Sequence, residues 1–115
     1  MSVFAGVVAK RGYIAPHGQN IGYINGTITL TGTTYVNGDL DLSALDMVGI
    51  NPENLKGAHF TVGGSTGYMV TWTRAATPVW TALGTLKLYS ATGTEATGSL
   101  TLTIDYSLFF FKHLL

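Results

Sequence analysis

Cysteine is absent from this 115-residue sequence, and charge is scarce. Without cysteine there is neither a disulfide framework nor a thiolate metal centre. Such a composition fits a reducing compartment and is compatible with any. Six Lys and Arg balance six Asp and Glu, so charged residues are 10% of the chain and the formal net charge is zero. An ordinary soluble domain has about 25% charged residues, and a free monomer usually keeps its net charge away from zero to stay dispersed. With a mean hydropathy of +0.30, this surface reads as one partly covered by other chains. No apolar run approaches the roughly 20 residues of a membrane span. The apolar residues 3–9 have no basic residue before them, and Lys10-Arg11 follows them, so they do not read as an export signal. The six cations (Lys10, Arg11, Lys56, Arg74, Lys87 and Lys112) are scattered. Direct nucleic-acid binding, which needs a basic surface, is therefore not expected.

What is present is the composition of a β protein. There are 17 Thr, 15 Gly, six Tyr, five Phe and two Trp, residues that suit pleated sheets and tight turns. Period-two alternation places Ile28 and Leu30 on one face against Thr27, Thr29 and Thr31. Tyr68, Val70 and Trp72 alternate with Met69, Thr71 and Thr73, and Leu86 and Leu88 alternate with Thr85, Lys87 and Tyr89. The longest run, residues 100–108, has a core phase that continues to Phe110. Asn25-Gly26 and Asn37-Gly38 have the chemistry of tight hairpin turns. Residues 63–67 and 90–98 read as longer loops, the second a hairpin connection. Two short helical turns are expected, one capped by Ser43 and one over Asn51-Pro52-Glu53-Asn54-Leu55-Lys56-Gly57, with a cap residue, Pro at its first position and Gly just past its end. The length supports one core, and the pattern predicts a single antiparallel β-sandwich or barrel over residues 21–115. Residues 1–20 read as an N-terminal arm or first strand, irregular from residue 10 onwards.

Catalytic chemistry is thinly represented. His17, His59 and His113 are far apart in sequence and none has a metal-ligand spacing. Asp39 and Asp41 share one strand face but lack the ligand-rich loop a calcium site needs. The glycine-rich 63–67 stretch lacks the lysine and strand-to-helix context of a phosphate loop. Asn25-Gly26-Thr27 matches a glycosylation sequon but has no export signal to give it meaning. No enzyme activity, metal or cofactor is expected. Trp80, next to Thr77-Pro78 in an expected loop, is the one aromatic placed to stack on a ligand, whereas the phase of Trp72 sends it to the core.

The chain ends in Phe109-Phe110-Phe111-Lys112-His113-Leu114-Leu115. If Phe110 faces the core, Phe109 and Phe111 face the other way, and exposed apolar patches mark interaction sites. With the apolar start, this nominates Val3, Phe4, Val7, Val8, Phe109, Phe111, Leu114 and Leu115 as contacts to other chains. Each buried Phe or Leu contributes roughly 1.5–3 kcal/mol, against an association cost on the order of 4–15 kcal/mol. The tail alone therefore binds marginally and needs further area or many repeated contacts.

The stretch Gly26-Thr27-Ile28-Thr29-Leu30-Thr31-Gly32-Thr33-Thr34-Tyr35-Val36-Asn37-Gly38, followed by Leu40-Asp41-Leu42-Ser43-Ala44-Leu45, resembles small virion proteins of tailed bacteriophages. So does Gly84-Thr85-Leu86-Lys87-Leu88-Tyr89-Ser90 with the final apolar strand. The resemblance covers about residues 22–112 and is to capsid decoration, or cement, proteins. It implies a β-sandwich or barrel subunit that binds and stabilises the shell between major capsid proteins, as a homo-oligomer assembled in the bacterial host cytoplasm. The family carries no catalytic residues. The alternative expectation is a carbohydrate- or receptor-binding β domain of a tail or head fibre, with Trp80 as its stacking residue.

Overall fold

A computed structural model describes residues 4–14, 19–42, 51–63 and 67–113. In chain order these form β1 (Phe4–Ala5), β2 (Val7–Ile14), β3 (Gln19–Thr34), β4 (Gly38–Asp41), a 3-10 turn (Pro52–Asn54), β5 (Leu55–Gly63), β6 (Met69–Val79), β7 (Ala82–Tyr89) and β8 (Ser99–His113). The strands build two four-stranded sheets, β1-β4-β7-β6 and β2-β3-β8-β5. The fold is an all-β sandwich. Its core lies between the sheets, where alternate residues converge: Ile24, Ile28 and Leu30 of β3, Leu86 and Leu88 of β7, and Leu100, Leu102, Ile104, Tyr106, Leu108 and Phe110 of β8.

The N-terminal segment is strand, and it belongs to both sheets. β1 pairs parallel with β4, and the chain then crosses at Gly6 to pair antiparallel with β3 through β2. Glycine suits that crossing, because a Cβ there would lie 2.5 Å from Leu42 Cδ2 and 2.7 Å from the Tyr106 hydroxyl, and both side chains would have to shift. Residues 10–14, expected to be irregular, continue β2.

Three expected turns prove to be something else. Asn25-Gly26 lies in the middle of β3, with Asn25 opposite both Lys10 and Ser107. Gly22 and Gly26 face inward opposite Phe110 and Tyr106, the two large inward rings of β8, so the glycines make room for the aromatics rather than reverse the chain. Asn37-Gly38 and residues 90–98 both carry the chain from one sheet to the other, so neither closes a hairpin. Thr77-Pro78, expected in a loop, belongs to β6, where pairing with β7 is irregular between Arg74 and Val79. The turn capped by Ser43 lies outside the described residues, as does the middle of the 63–67 loop. The other helical turn forms but is confined to Pro52–Asn54, with the Asn51 side chain accepting a hydrogen bond from the Glu53 N–H at 2.9 Å, and Leu55, Lys56 and Gly57 already belong to β5.

Alternation also slips on β7, where Leu83 and Leu86 are both buried although three apart. Gly84 accommodates the slip with φ +152°. A Cβ at Gly84 would sit 2.2 Å from Trp72 Nε1 and 2.6 Å from the Thr73 carbonyl oxygen. Gly84→Ala thus combines backbone strain with a clash against backbone, and should cost at least about 2 kcal/mol of stability in urea unfolding.

Two polar devices fasten the sheets together. On one side Arg74 of β6 donates from Nε to the Leu55 carbonyl at 2.6 Å and from an Nη to the Glu53 carbonyl at 3.0 Å. At the opposite end the Tyr35 hydroxyl accepts from the Leu88 N–H at 3.1 Å and donates to Glu95 Oε2 at 2.7 Å. Asn37 donates to the same carboxylate oxygen at 3.2 Å. Burial, with the bond to Glu95, pushes the Tyr35 hydroxyl up to about 12. The donors Tyr35 and Asn37 hold Glu95 below the ordinary carboxylate range.

Tyr35→Phe leaves the Leu88 N–H without its acceptor and should cost about 1–2 kcal/mol. The pH dependence has two limbs. The folded state keeps a proton on Tyr35 that the unfolded state releases, so this stability is present below pH 10 and is lost as pH rises towards 12. Glu95 acts oppositely, its contribution being lost in acid as pH falls through its depressed value. Equilibrium unfolding across pH should show the Phe variant with a shallower alkaline limb, the remainder belonging to Tyr106, which burial also raises to about 12.

Candidate protein-interaction face

The outward face of the β2-β3-β8-β5 sheet is divided along its length. Strand alternation sets it: with Ile24, Ile28, Leu108 and Phe110 inward, the odd-numbered residues of β3 and β8 point away from the core. Starting from Ser99, the outward residues of β8 are Thr101, Thr103, Asp105 and Ser107, then Phe109 and Phe111. Their partners follow the same division. Thr29 lies opposite Thr103, and Thr27 lies opposite Asp105, to which it donates a hydrogen bond of 3.2 Å. Asn25 lies opposite Ser107, then Tyr23 opposite Phe109 and Ile21 opposite Phe111. One half of the face is hydroxyl, amide and carboxylate; the other is aromatic and aliphatic.

The apolar half is a connected patch. Neighbouring strands are about 4.8 Å apart, and outward residues on one strand repeat about every 7 Å. Phe109, Phe111, Tyr23 and Ile21 therefore occupy a two-by-two block of neighbouring outward positions. Phe109, paired on both sides, is 38% exposed, and Phe111, one residue beyond the end of the β5 pairing, is 45% exposed. Tyr23 spreads the patch sideways across β2, because a Cβ at Gly12 would lie 2.7 Å from its hydroxyl. On the other side Phe109 lies opposite Gly57 of β5, where a Cβ would meet nothing within 4 Å.

Of the residues nominated from sequence, Phe109 and Phe111 are brought together on this face. Phe4 is not: it is completely buried in its own chain's core, edge-on to Tyr35 with ring centroids 6.4 Å apart. Its apolarity serves folding. Val7 and Val8 are placed in β2 opposite Thr27 and Gly26 by their backbones. Val3, Leu114 and Leu115 lie outside the described residues. Trp80 sits in the turn between β6 and β7, where it is half-buried against the core with its ring centroid 5.6 Å from that of Phe110. Trp72 packs on the core as its phase predicts, next to Phe60.

Ile21 and Tyr23 were not singled out by sequence. Their phase continues that of Asn25, Thr27 and Thr29, which is the signal that finds them once Asn25-Gly26 is read as strand. Asp39 and Asp41 both lie on β4, a strand paired on both sides rather than an edge. Among the described residues no group of three His, Cys, Asp or Glu side chains is placed to hold a metal ion. His59 is exposed on β5 and shares a 3.2 Å hydrogen bond with Thr61. Its backbone pairs with Ser107, and that of His113 with Gln19, so these two histidines are about 20 Å apart along the sheet. His17 lies outside the described residues.

Comparison with protein-family models, with curated proteins and with solved structures found no match.

Proposed function

We propose that this chain is a structural subunit of a virion, of the capsid decoration kind, which stabilises a shell by binding other protein chains. The observation that carries the reading is the exposed Phe109-Phe111 pair, in register with Tyr23 and Ile21, on a chain with only 10% charged residues and no net charge. Rings held on a central strand lose little conformational freedom when they bind, so they are effective anchors. The polar half of the same face supplies a rim able to hydrogen-bond at the edge of such a contact. One patch of four side chains gives modest affinity, and repetition over a lattice raises it by avidity. The partners on this reading are the major capsid protein and further copies of the chain, met after synthesis in the bacterial host cytoplasm. The resemblance of residues 22–112 to decoration proteins points the same way.

The test is quantitative mass spectrometry of purified virus particles, counting this chain against the major shell protein. A copy number comparable to the shell subunit is the expected result. A handful of copies per particle moves the chain to a tail, neck or fibre, and its absence from particles overturns the virion reading.

A further inference from the structure

A second surface, separate from the aromatic patch, is the outer edge of β2. A sheet edge offers a row of unpaired N–H and C=O groups, and proteins manage such edges explicitly. Of the four edges, β1 has only two residues, and at the start of β5 the Leu55 carbonyl, with the Glu53 carbonyl of the preceding turn, accepts hydrogen bonds from Arg74 of β6. The edge on β2 is eight residues long, and no described residue pairs with its outer side.

Two features guard that edge against a second copy of itself. The register breaks between Val8 and Lys10, which interrupts the ladder at Ala9 and leaves Lys10–Ile14 as the regular stretch opposite Asn25–Ile21. The chain's only adjacent pair of cations, Lys10-Arg11, lies at the middle of the strand, and Lys10 is exposed. In an antiparallel contact between two copies the symmetry axis passes through the strand, and the residue on the axis faces its own copy. The two registers that overlap the strand most fully are centred on Lys10 or on Arg11. Either sets like charges directly opposite each other, which is destabilising. The same pair attracts carboxylates.

We infer that the β2 edge accepts an extended segment of a partner protein, bearing carboxylates at its middle, as a fifth strand of the sheet. Main-chain hydrogen bonds along residues 7–14 supply the affinity, and the exposed Lys10 favours an acidic strand over a second β2. This deepens the assembly reading while using different residues from the aromatic patch, so the two can fail separately.

The probe is the chain's own strand with its charge reversed. K10E/R11E protein, unlabelled, is added to isotope-labelled wild-type chain, and amide hydrogen exchange is followed residue by residue. The expected result is at least tenfold slower exchange at alternate amides of residues 7–14 in the mixture, with no such slowing when unlabelled wild-type chain is added instead. Added salt should weaken the effect, since it screens exposed charge. If the double variant fails to fold, K10E alone carries the same test in the register centred on residue 10. No slowing at residues 7–14 overturns the inference. So does slowing confined to residues 105–111, which would leave the aromatic patch as the contact.

Discussion

Phe4→Ala should lower the unfolding free energy by about 3–5 kcal/mol, the usual cost of truncating a fully buried aromatic residue. The ring is completely inaccessible, and it stands edge-on to Tyr35, whose hydroxyl ties Leu88 to Glu95. It also belongs to the two-residue strand that joins the N-terminus to β4 before the chain crosses at Gly6. Truncation therefore opens a cavity and loosens the short strand that closes one sheet. A domain of this size has on the order of 5–15 kcal/mol in total, so the variant should sit near the limit of folding. Urea unfolding measures the loss, and Phe4→Leu, which keeps most of the volume, should recover more than half of it. A loss below about 1 kcal/mol would place Phe4 on the surface as a contact residue.

The opposite behaviour is expected at the other end of the chain. Phe109→Ser combined with Phe111→Ser should cost about 1–3 kcal/mol, less than Phe4→Ala, because both rings point away from the core although more than half of each is covered within the chain. Binding to particles should fall about 100- to 1000-fold. Each anchor residue is worth roughly 2 kcal/mol when it fills a partner's surface, and each 1.4 kcal/mol is a factor of ten. Quantitative co-sedimentation of the purified chain with particles stripped of it gives the affinity. Thr29→Ala, at the hydroxyl end of the same face, should leave binding within a few-fold of wild type. Equal losses from both variants would mean that the contact is not centred on the aromatic end.

Phe4 on one side and Phe109 with Phe111 on the other show where the sequence could be read and where it could not. On β8 the alternation runs unbroken from Leu100 to Phe110, so the inward set and the outward Phe109 and Phe111 follow directly from period two. The same logic placed Ile28, Leu30, Leu86, Leu88 and Trp72. Phe4 defeated it because β1 is only two residues long, too short for a period to show, and because the chain changes sheet at Gly6. The first half of β3 was lost to a competing local signal. Asn25-Gly26 has the chemistry of a hairpin turn, but Gly26 lies in mid-strand opposite Tyr106, a long-range pairing no local pattern contains. The strand ends on β6 and the sheet crossings after Thr34 and Tyr89 were hidden for the same reason. Tyr23 and Ile21 disappeared with that half of β3, and with them half of the aromatic patch.

The claim that this patch is the docking surface is tested most directly by hydroxyl-radical footprinting of the free chain and of the chain bound in particles. Phe109, Phe111 and Tyr23 should lose most of their oxidation on binding, while the exposed Met69 on the other sheet oxidises equally in both states. Undiminished oxidation of Phe109 and Phe111 in the bound chain would contradict the assignment of this face.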